Sequence, residues 1–198
     1  MCSKNLMPRS YTLGRRAEKQ AGTRRRIVEA AVELHGRIGP ALTTLSMVAE
    51  RAGVQRHTLY AHFPDERSLL MACSGLTLER DPLPDVTPWQ QIDDRVERLR
   101  AGIRAVYGWY DRNAELAGCV LRDAESHPLV REIVELKIGR PMAEYREVLG
   151  TKLAVGQRAL LPLALSFFTW RSLVRDGSLT TAAAAKTMVH AVAGAGQG

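Results

Sequence analysis

Cysteine is scarce in this sequence, and long apolar runs are absent. Cys2, Cys73 and Cys119 stand far apart without Cys-x-x-Cys spacing, which argues against a disulfide framework or a structural zinc site. The longest charge-free apolar run, residues 159–170, is too short to span a membrane. No apolar run of roughly 7–15 residues follows the first basic residues, so we expect no secretory signal. These absences predict a chain that has no membrane partner and resides in the reducing cytoplasm.

Catalytic signatures are also lacking. The sequence contains no Gly-x-Ser-x-Gly, no His-Glu-x-x-His and no phosphate-binding loop with Lys-Ser/Thr. Asp123 and His127 are four residues apart, but Pro128 biases His127 out of a helix, which favours a cap or a surface ion pair over a shared metal. We therefore expect no enzyme, no metal and no cofactor.

Positive charge is concentrated at one end of the chain. Residues 1–63 contain eleven Lys and Arg against four Asp and Glu, whereas residues 64–198 contain seventeen of each. The whole net charge of +7 therefore lies in the first third, as expected of a part that binds phosphate. A merely soluble basic surface would have spread the charge over both parts.

The most informative segment, residues 43–63, reads as two short helices joined by a tight turn. Thr43 and Thr44 are residues of the N-cap type, and Gly53 suits the left-handed position that ends a helix. Leu59 and Phe63, four residues apart, give the second helix an inward face. The spacing predicts a helix-turn-helix, whose second helix places polar side chains in the DNA major groove.

Residues 43–63 resemble the TetR family of bacterial transcriptional regulators. The family pattern runs Thr-Thr, Val/Ile-Ala, Ala-Gly-Val and Thr-Leu-Tyr-x-His-Phe, and each element is present without a gap. The resemblance implies an all-α fold, with an N-terminal three-helix helix-turn-helix domain and a C-terminal helical domain for ligand binding and dimerisation. Gln55 stands where Ser is common, His57 replaces a small residue, and Glu66 replaces a phosphate-binding Lys, so that Arg67 is a possible substitute. The DNA-binding residues implied by the match and its flanks are Thr43, Thr44, Gln55, Arg56, His57, Thr58, Tyr60, His62 and Arg67.

The composition of the chain and the positions of its prolines predict three parts. Residues 1–21 are polar and basic and are expected to form a flexible arm, which either contacts DNA or has no role. Residues 22–80 are assigned to the helix-turn-helix domain with its linking helix, which Asp65 caps. Three prolines mark a boundary at residues 80–88, and residues 81–198 are assigned to a helical effector-binding and dimerisation domain. Helices are expected near Thr23 to Gly36–Gly39 and at 88–112, 114–125, 128–149, 156–176 and 180–193.

The predicted helix at 156–176 is apolar on two sides. Such a helix must be covered on two sides, and we expect one side to face a second subunit of a two-fold homodimer. The family resemblance implies the same interface, formed by the helices at 156–176 and 180–193. The alternative is a helix buried in the centre of a monomer.

Aromatic residues are abundant in the second half, and ligand pockets are mostly apolar with a few polar groups. The expected effector is accordingly a small, largely apolar or aromatic molecule. The candidate ligand-binding residues are Trp109, Tyr110, Cys119, Arg122, Phe168 and Arg171.

The sequence thus predicts a homodimeric, sequence-specific regulator, released as a repressor from a palindromic double-stranded operator by a small ligand. Two alternatives are open: a nonspecific architectural DNA-binding protein, or an enzyme with its site in the second domain.

Overall fold

A computed structural model describes residues 9–195 of the chain. Within that range the structure is helical and has no strand, which confirms the predicted all-α class. No helix of these residues is long and apolar enough to cross a membrane.

Four helices form the N-terminal unit. They are α1 (Arg9–Arg37), α2 (Leu45–Arg51), α3 (Arg56–His62) and α4 (Glu66–Arg80), and a 3-10 turn (Pro40–Leu42) joins α1 to α2. Their shared core is built from Ile27, Val48, Leu59, Phe63 and Leu69, each at most 2% exposed. Asp65 caps α4, as expected, because its carboxylate accepts a hydrogen bond from the Ser68 backbone N–H at 2.7 Å.

The first helix begins earlier than predicted. It starts at Arg9 rather than near Thr23, so residues 9–21 are helical and the expectation of a flexible arm is wrong for them. Residues 1–8 of the expected arm lie outside the described residues. Arg16 and Lys19 are exposed on this extension of α1.

The remaining helices form the C-terminal bundle. They are α5 (Thr87–Gln90), α6 (Arg95–Arg112), α7 (Ala114–Ala124), α8 (Pro128–Val134), α9 (Arg140–Gly150), α10 (Val155–Ala159), α11 (Leu161–Ala164), α12 (Phe167–Arg171) and α13 (Thr181–Gly194). A π turn (Glu135–Gly139) joins α8 to α9, and a second one (Ser172–Asp176) follows α12. Helix α13 packs along α6, and α7 packs on α1 of the N-terminal unit.

Two of the predicted long helices are interrupted. The predicted helix 88–112 is broken between α5 and α6, where the Asp94 carboxylate caps α6 by accepting hydrogen bonds from two backbone N–H groups at 2.8 Å. The predicted helix 156–176 is wrong, since this stretch forms α10, α11, α12 and a π turn. Pro162 lies in the first turn of α11 and Ser166 caps α12, so each starts a new segment.

These breaks change which residues face outward. Leu161, Phe167 and Trp170 are 2–3% exposed and belong to the bundle's own core. Val155 is 77% exposed and Leu163 is 54% exposed. The outer apolar surface of this region therefore lies on α10 and α11, both of which contact α13.

Candidate nucleic-acid interface and ligand cavities

Helix α2 and the turn after it are built by local hydrogen bonds. The Thr44 hydroxyl accepts from the Met47 backbone N–H at 3.2 Å and caps α2. Gly53 adopts φ +64°. This left-handed conformation is unfavourable for residues with a Cβ atom and readily accessible to glycine. Both features were predicted from the sequence, and together they set the angle between α2 and α3.

Helix α3 turns one face inward and presents the other to solvent. Leu59 and Phe63 are buried, whereas Arg56, His57 and Tyr60 are exposed. Among the described residues, no hydrogen bond or ion pair engages the side chains of Arg56 and His57. Gln55 is the N-cap residue of α3, and its side chain makes no capping hydrogen bond. The side-chain amide of Gln55 is therefore also available to a partner. Thr58 and His62 are half-buried at the edge of this surface.

The end of α3 lies against the first helix. The Arg24 guanidinium stands over the Phe63 ring at 4.7 Å from its centroid, a cation–π contact. This contact brings the basic first helix beside the end of α3 that carries Tyr60 and His62, so positive charge adjoins the exposed polar face.

Arg67 is engaged with the C-terminal bundle. Its Nε and Nη2 donate to Glu132 Oε1 at 3.0 and 2.8 Å, tying the first turn of α4 to α8. The neighbouring Glu66 is half-buried. The suggestion that Arg67 binds phosphate in place of the usual Lys stays a prediction, and such binding requires this ion pair to open.

A polar joint connects α7 to the turn in front of α2. Asp123 is 5% exposed, and its Oδ2 accepts from the Ala41 backbone N–H at 2.9 Å. Arg122 Nη2 lies 2.7 Å from Asp123 Oδ1 and donates to the Ile38 carbonyl at 3.1 Å. Gly39 carries φ +95°, and a Cβ there would lie 2.3 Å from Asp123 Oδ2. Only glycine therefore allows the carboxylate to approach so closely.

The same joint reaches the start of α2. The Thr43 hydroxyl donates to the Gly39 carbonyl at 2.7 Å, and Thr44 follows as the cap of α2. These hydrogen bonds link Asp123, through the turn that contains Gly39 and Ala41, to the residues that lead into the helix-turn-helix.

His35 lies in the last turn of α1 beside this joint, with only 5% of its surface exposed. Burial lowers the pKa of His35 to about 4, opposed in part by the nearby Asp123 carboxylate. The imidazole is therefore neutral at physiological pH. It lines a mainly apolar cavity of about 100 Å³ between the N-terminal unit and α7–α8, together with Leu70, Val120 and Ile133.

A second, larger space lies inside the C-terminal bundle. This cleft of about 280 Å³ is lined by Tyr110, Met142 and Phe168, with Glu135 and Arg146 as charged groups. Val134 and Ile138 line both the cavity and the cleft. The first π turn and the residue before it therefore form the partition between the two spaces.

The predicted ligand residues are only partly brought together. Tyr110 and Phe168 line the cleft. Trp109 is a core residue whose Nε1 donates to the Asp81 carbonyl at 3.0 Å. The Arg171 guanidinium stands over the Phe168 ring, 5.4 Å from its centroid.

The other two predicted ligand residues lie at the junction with the N-terminal unit. Cys119 Sγ donates to the Gly36 carbonyl at 3.4 Å, and Arg122 belongs to the joint. Trp109, Cys119, Arg122 and Arg171 are therefore outside the lining of the cleft.

Sequence reasoning missed the two residues that organise the junction. The sequence predicts a cap or a surface ion pair for Asp123 and His127, whereas Asp123 is buried in its ion pair with Arg122; no role is predicted for His35. His127 caps α8 by accepting a hydrogen bond from the Val130 backbone N–H at 3.4 Å. This is the cap that the sequence favoured over a metal ligand. A usable signal for His35 was its spacing on the apolar face of α1 after Val28 and Ala31, at i, i+3 and i+7.

Comparison with known proteins supports the resemblance seen in the sequence. Residues 27–73 match the family model of bacterial regulatory proteins of the tetR family. The HTH-type transcriptional repressor KstR of Mycolicibacterium smegmatis is 30% identical over 95 residues, which are 44% of this chain and 47% of that protein. The match thus spans about half the length of this curated relative.

Solved structures share the fold over most of the chain. The transcriptional regulator FadR from Bacillus subtilis, solved with stearoyl-CoA, has a TM-score of 0.60 at 18% identity, covering 84% of this chain and 96% of that one. AibR, solved with isovaleryl coenzyme A and operator DNA, has a TM-score of 0.59 at 22% identity, covering 85% and 97%. Residues 27–73 therefore match the TetR family of bacterial regulatory proteins, and most of the chain shares the all-helical fold of these solved regulators.

Proposed function

We propose that this protein is a sequence-specific transcriptional regulator, a repressor that a small ligand releases from a double-stranded operator. The observation that carries the proposal is the exposed polar face of α3, on which Arg56 and His57 have no partner among the described residues. A convex strip of this kind fits the major groove, whereas an active site needs groups that converge in a pocket.

We assign roles in DNA binding to the polar residues of the motif and its flanks. Arg56 and His57, at the start of α3, read base edges, since arginine suits guanine O6 and N7. Thr44, Tyr60 and His62 hold backbone phosphates on either side of them. The remaining candidates, Thr43, Gln55, Thr58 and Arg67, lie at the rim of this surface, and Thr43 and Arg67 contribute only if their present hydrogen bonds are exchanged.

Two of the three buried clusters support a division into a DNA-binding domain and a ligand domain, and the third, formed by Leu70, Val130 and Ile133, lies at their junction. One core lies within α1–α4, and the other lies within the C-terminal bundle. The stretch 81–86 lies outside the helices and joins the two parts, which supports placing the proposed boundary at residues 80–88.

The proposed homodimer uses the outer surface of α10, α11 and α13. Val155 and Leu163 are the large apolar side chains exposed on α10 and α11, and the outward positions of α13 include the small residues Ala182 and Ala191. Small residues allow a partner helix to approach closely. A two-fold arrangement would bury the same patch on both subunits and present two α3 helices to a palindrome.

The proposed effector site is the cleft lined by Tyr110 and Phe168. Its lining is mainly apolar, with Arg146 and Glu135 as polar groups, as is usual for small-molecule pockets. Structural relatives crystallised with stearoyl-CoA and with isovaleryl coenzyme A support a ligand with an apolar part. A ligand releases DNA only if it binds the DNA-incompetent conformation more tightly.

The test is selection of binding sites from random duplex DNA with the pure, full-length protein, followed by footprinting. We expect a palindromic sequence with a discrete footprint. Equal, strongly salt-dependent binding to all duplexes would contradict the proposal and indicate a nonspecific architectural protein.

A further inference from the structure

We propose that the cavity between the N-terminal unit and α7–α8 is a second ligand site, which takes a small, uncharged, mainly apolar molecule carrying one hydroxyl or carbonyl group. His35 supplies the hydrogen bond to that group. The site goes beyond the cleft of the proposed function, and its effect on DNA rests on that function.

The first observation is an unsatisfied polar side chain that lines an apolar space. His35 is 95% buried, since only 5% of its surface is exposed. Within the described residues its ring nitrogens make no hydrogen bond and are not among the fully enclosed polar atoms, so they border the open space that His35 lines. Buried polar groups normally have a partner. Because a neutral imidazole has one donor and one acceptor nitrogen, it can bond either a hydroxyl or a carbonyl.

The second observation is the character of the rest of the lining. Leu70, Val120, Val130 and Ile133 surround the space, which measures about 100 Å³. An apolar cavity of roughly 150 Å³ stays dry and takes up benzene. The half-exposed Lys137 and Ile138 also line this cavity and mark the side nearest solvent, where a ligand enters. The space here is about two thirds of that volume, so it holds a ligand of at most about one ring.

Charge selects against an anion at the closed end. The Asp123 carboxylate acts electrostatically on His35, and a ligand carboxylate at the imidazole would be repelled by it. The only cationic side chain of the lining among the described residues, Lys137, is half-exposed and thus lies toward solvent. An uncharged polar group is consequently the best match for the His35 end.

The cavity lies beside the turn that leads into α2, so a bound ligand can affect operator binding. Pro40, the first residue of the turn in front of α2, also lines it, and Asp123 holds the next residue, Ala41. A ligand at His35 therefore contacts the turn that leads to Thr43 and Thr44. Occupancy is expected to shift this turn and to weaken operator binding.

The experiment titrates the full-length protein with phenol, toluene and benzoate, followed by NMR of isotope-labelled protein. Phenol and toluene have nearly the same shape, so their difference isolates the hydroxyl. We expect saturable binding, with phenol bound about threefold to tenfold more tightly than toluene, as one neutral hydrogen bond provides, and benzoate bound more weakly than phenol.

Two variants and one control locate the site. His35→Phe should abolish the preference for phenol over toluene. Ser74→Leu, which fills the cavity from α4, should abolish binding of both molecules and keeps the test valid if His35→Phe fails to fold. Ser172→Leu makes the same change at an exposed position outside the cavity and should leave both affinities unchanged.

The outcomes separate this inference from the proposed function. Non-saturable binding of phenol, an unchanged preference in His35→Phe, or unchanged affinity in Ser74→Leu overturns the second site, even if a selected operator is bound specifically. Failure to select any operator overturns the proposed function, while the titration still decides the site. Saturable phenol binding that leaves the affinity for a selected operator unchanged overturns the coupling to DNA.

Discussion

Asp123 of α7 accepts a hydrogen bond from the backbone N–H of Ala41 at 2.9 Å, although the two residues are 82 positions apart. This bond joins the C-terminal bundle to the turn that leads into α2. Asp123 is also paired with Arg122. The same buried carboxylate therefore forms an ion pair within the C-terminal bundle and a hydrogen bond to the backbone of the N-terminal unit.

Replacing Asp123 by Ala should destabilise the protein. The part-buried hydrogen bond from the Ala41 N–H would be lost, and a hydrogen bond to a charged acceptor contributes about 1.5–3 kcal/mol; the turn in front of α2 would also loosen. We expect a lower free energy of unfolding in urea and weaker operator binding. Asp123→Asn keeps an acceptor oxygen and should lose less. Glu125→Ala, at the exposed end of the same helix, serves as the control, and an equal loss there would contradict the role of the joint.

Replacing Arg56 by Ala should reduce operator binding far more than binding to random DNA. A bidentate contact to guanine contributes about 1–3 kcal/mol of discrimination, so specific affinity should fall by roughly tenfold or more, measured by fluorescence anisotropy on both duplexes. Arg104→Ala removes an exposed arginine of the bundle and should change neither. Equal loss on both duplexes would show that Arg56 contacts only phosphate.

Replacing Glu132 by Gln should release Arg67 for DNA. The ion pair with Glu132 occupies Nε and Nη2 of Arg67, so its removal frees a guanidinium beside the recognition surface. If Arg67 binds phosphate, affinity for all duplexes should rise, and the slope of log K against log salt should steepen by about 0.9. Glu144→Gln makes the same charge change at an exposed site on α9. The same slope in both variants would mean that Arg67 does not reach DNA.

Acid should destabilise the protein through His35. Its pKa is lowered from 6.5 to about 4 in the folded state, so the unfolded state binds the extra proton between these values. The contribution of His35 to stability is complete above pH 6.5 and is lost as the pH falls toward 4. This amounts to about 2 kcal/mol between pH 7 and pH 5, measured by urea unfolding. His35→Gln should flatten that dependence, and an unchanged slope would show that other groups cause it.

Replacing Leu163 by Glu should convert the proposed dimer to monomers, because it places a charge in the apolar patch of α10 and α11. Sedimentation velocity would show the change in mass. Leu136→Glu is a closely matched control, since Leu136 is 55% exposed and Leu163 is 54% exposed, and Leu136 lies on the first π turn. A monomeric wild type, or a dimeric Leu163→Glu, would exclude this interface.

The structure of the segment from Thr44 to Phe63 can be predicted from its own residues. An N-cap, a left-handed glycine and an apolar spacing act over a few residues, so each could be read without knowing the rest of the fold. The exposed positions of Arg56 and His57 followed from the same spacing. The capping of α4 by Asp65 was predictable for the same reason.

Two features depend on tertiary packing: which apolar residues of the C-terminal bundle are buried, and how this bundle contacts the N-terminal unit. The breaks at Pro162 and Ser166 turned Phe167 and Trp170 into the core, because packing against α6 and α13 outweighed a continuous helical pattern. The contacts of His35 and Asp123 depend on helices far apart in sequence. Their burial, and the charges and cavity that result from it, arise only when the chain has folded.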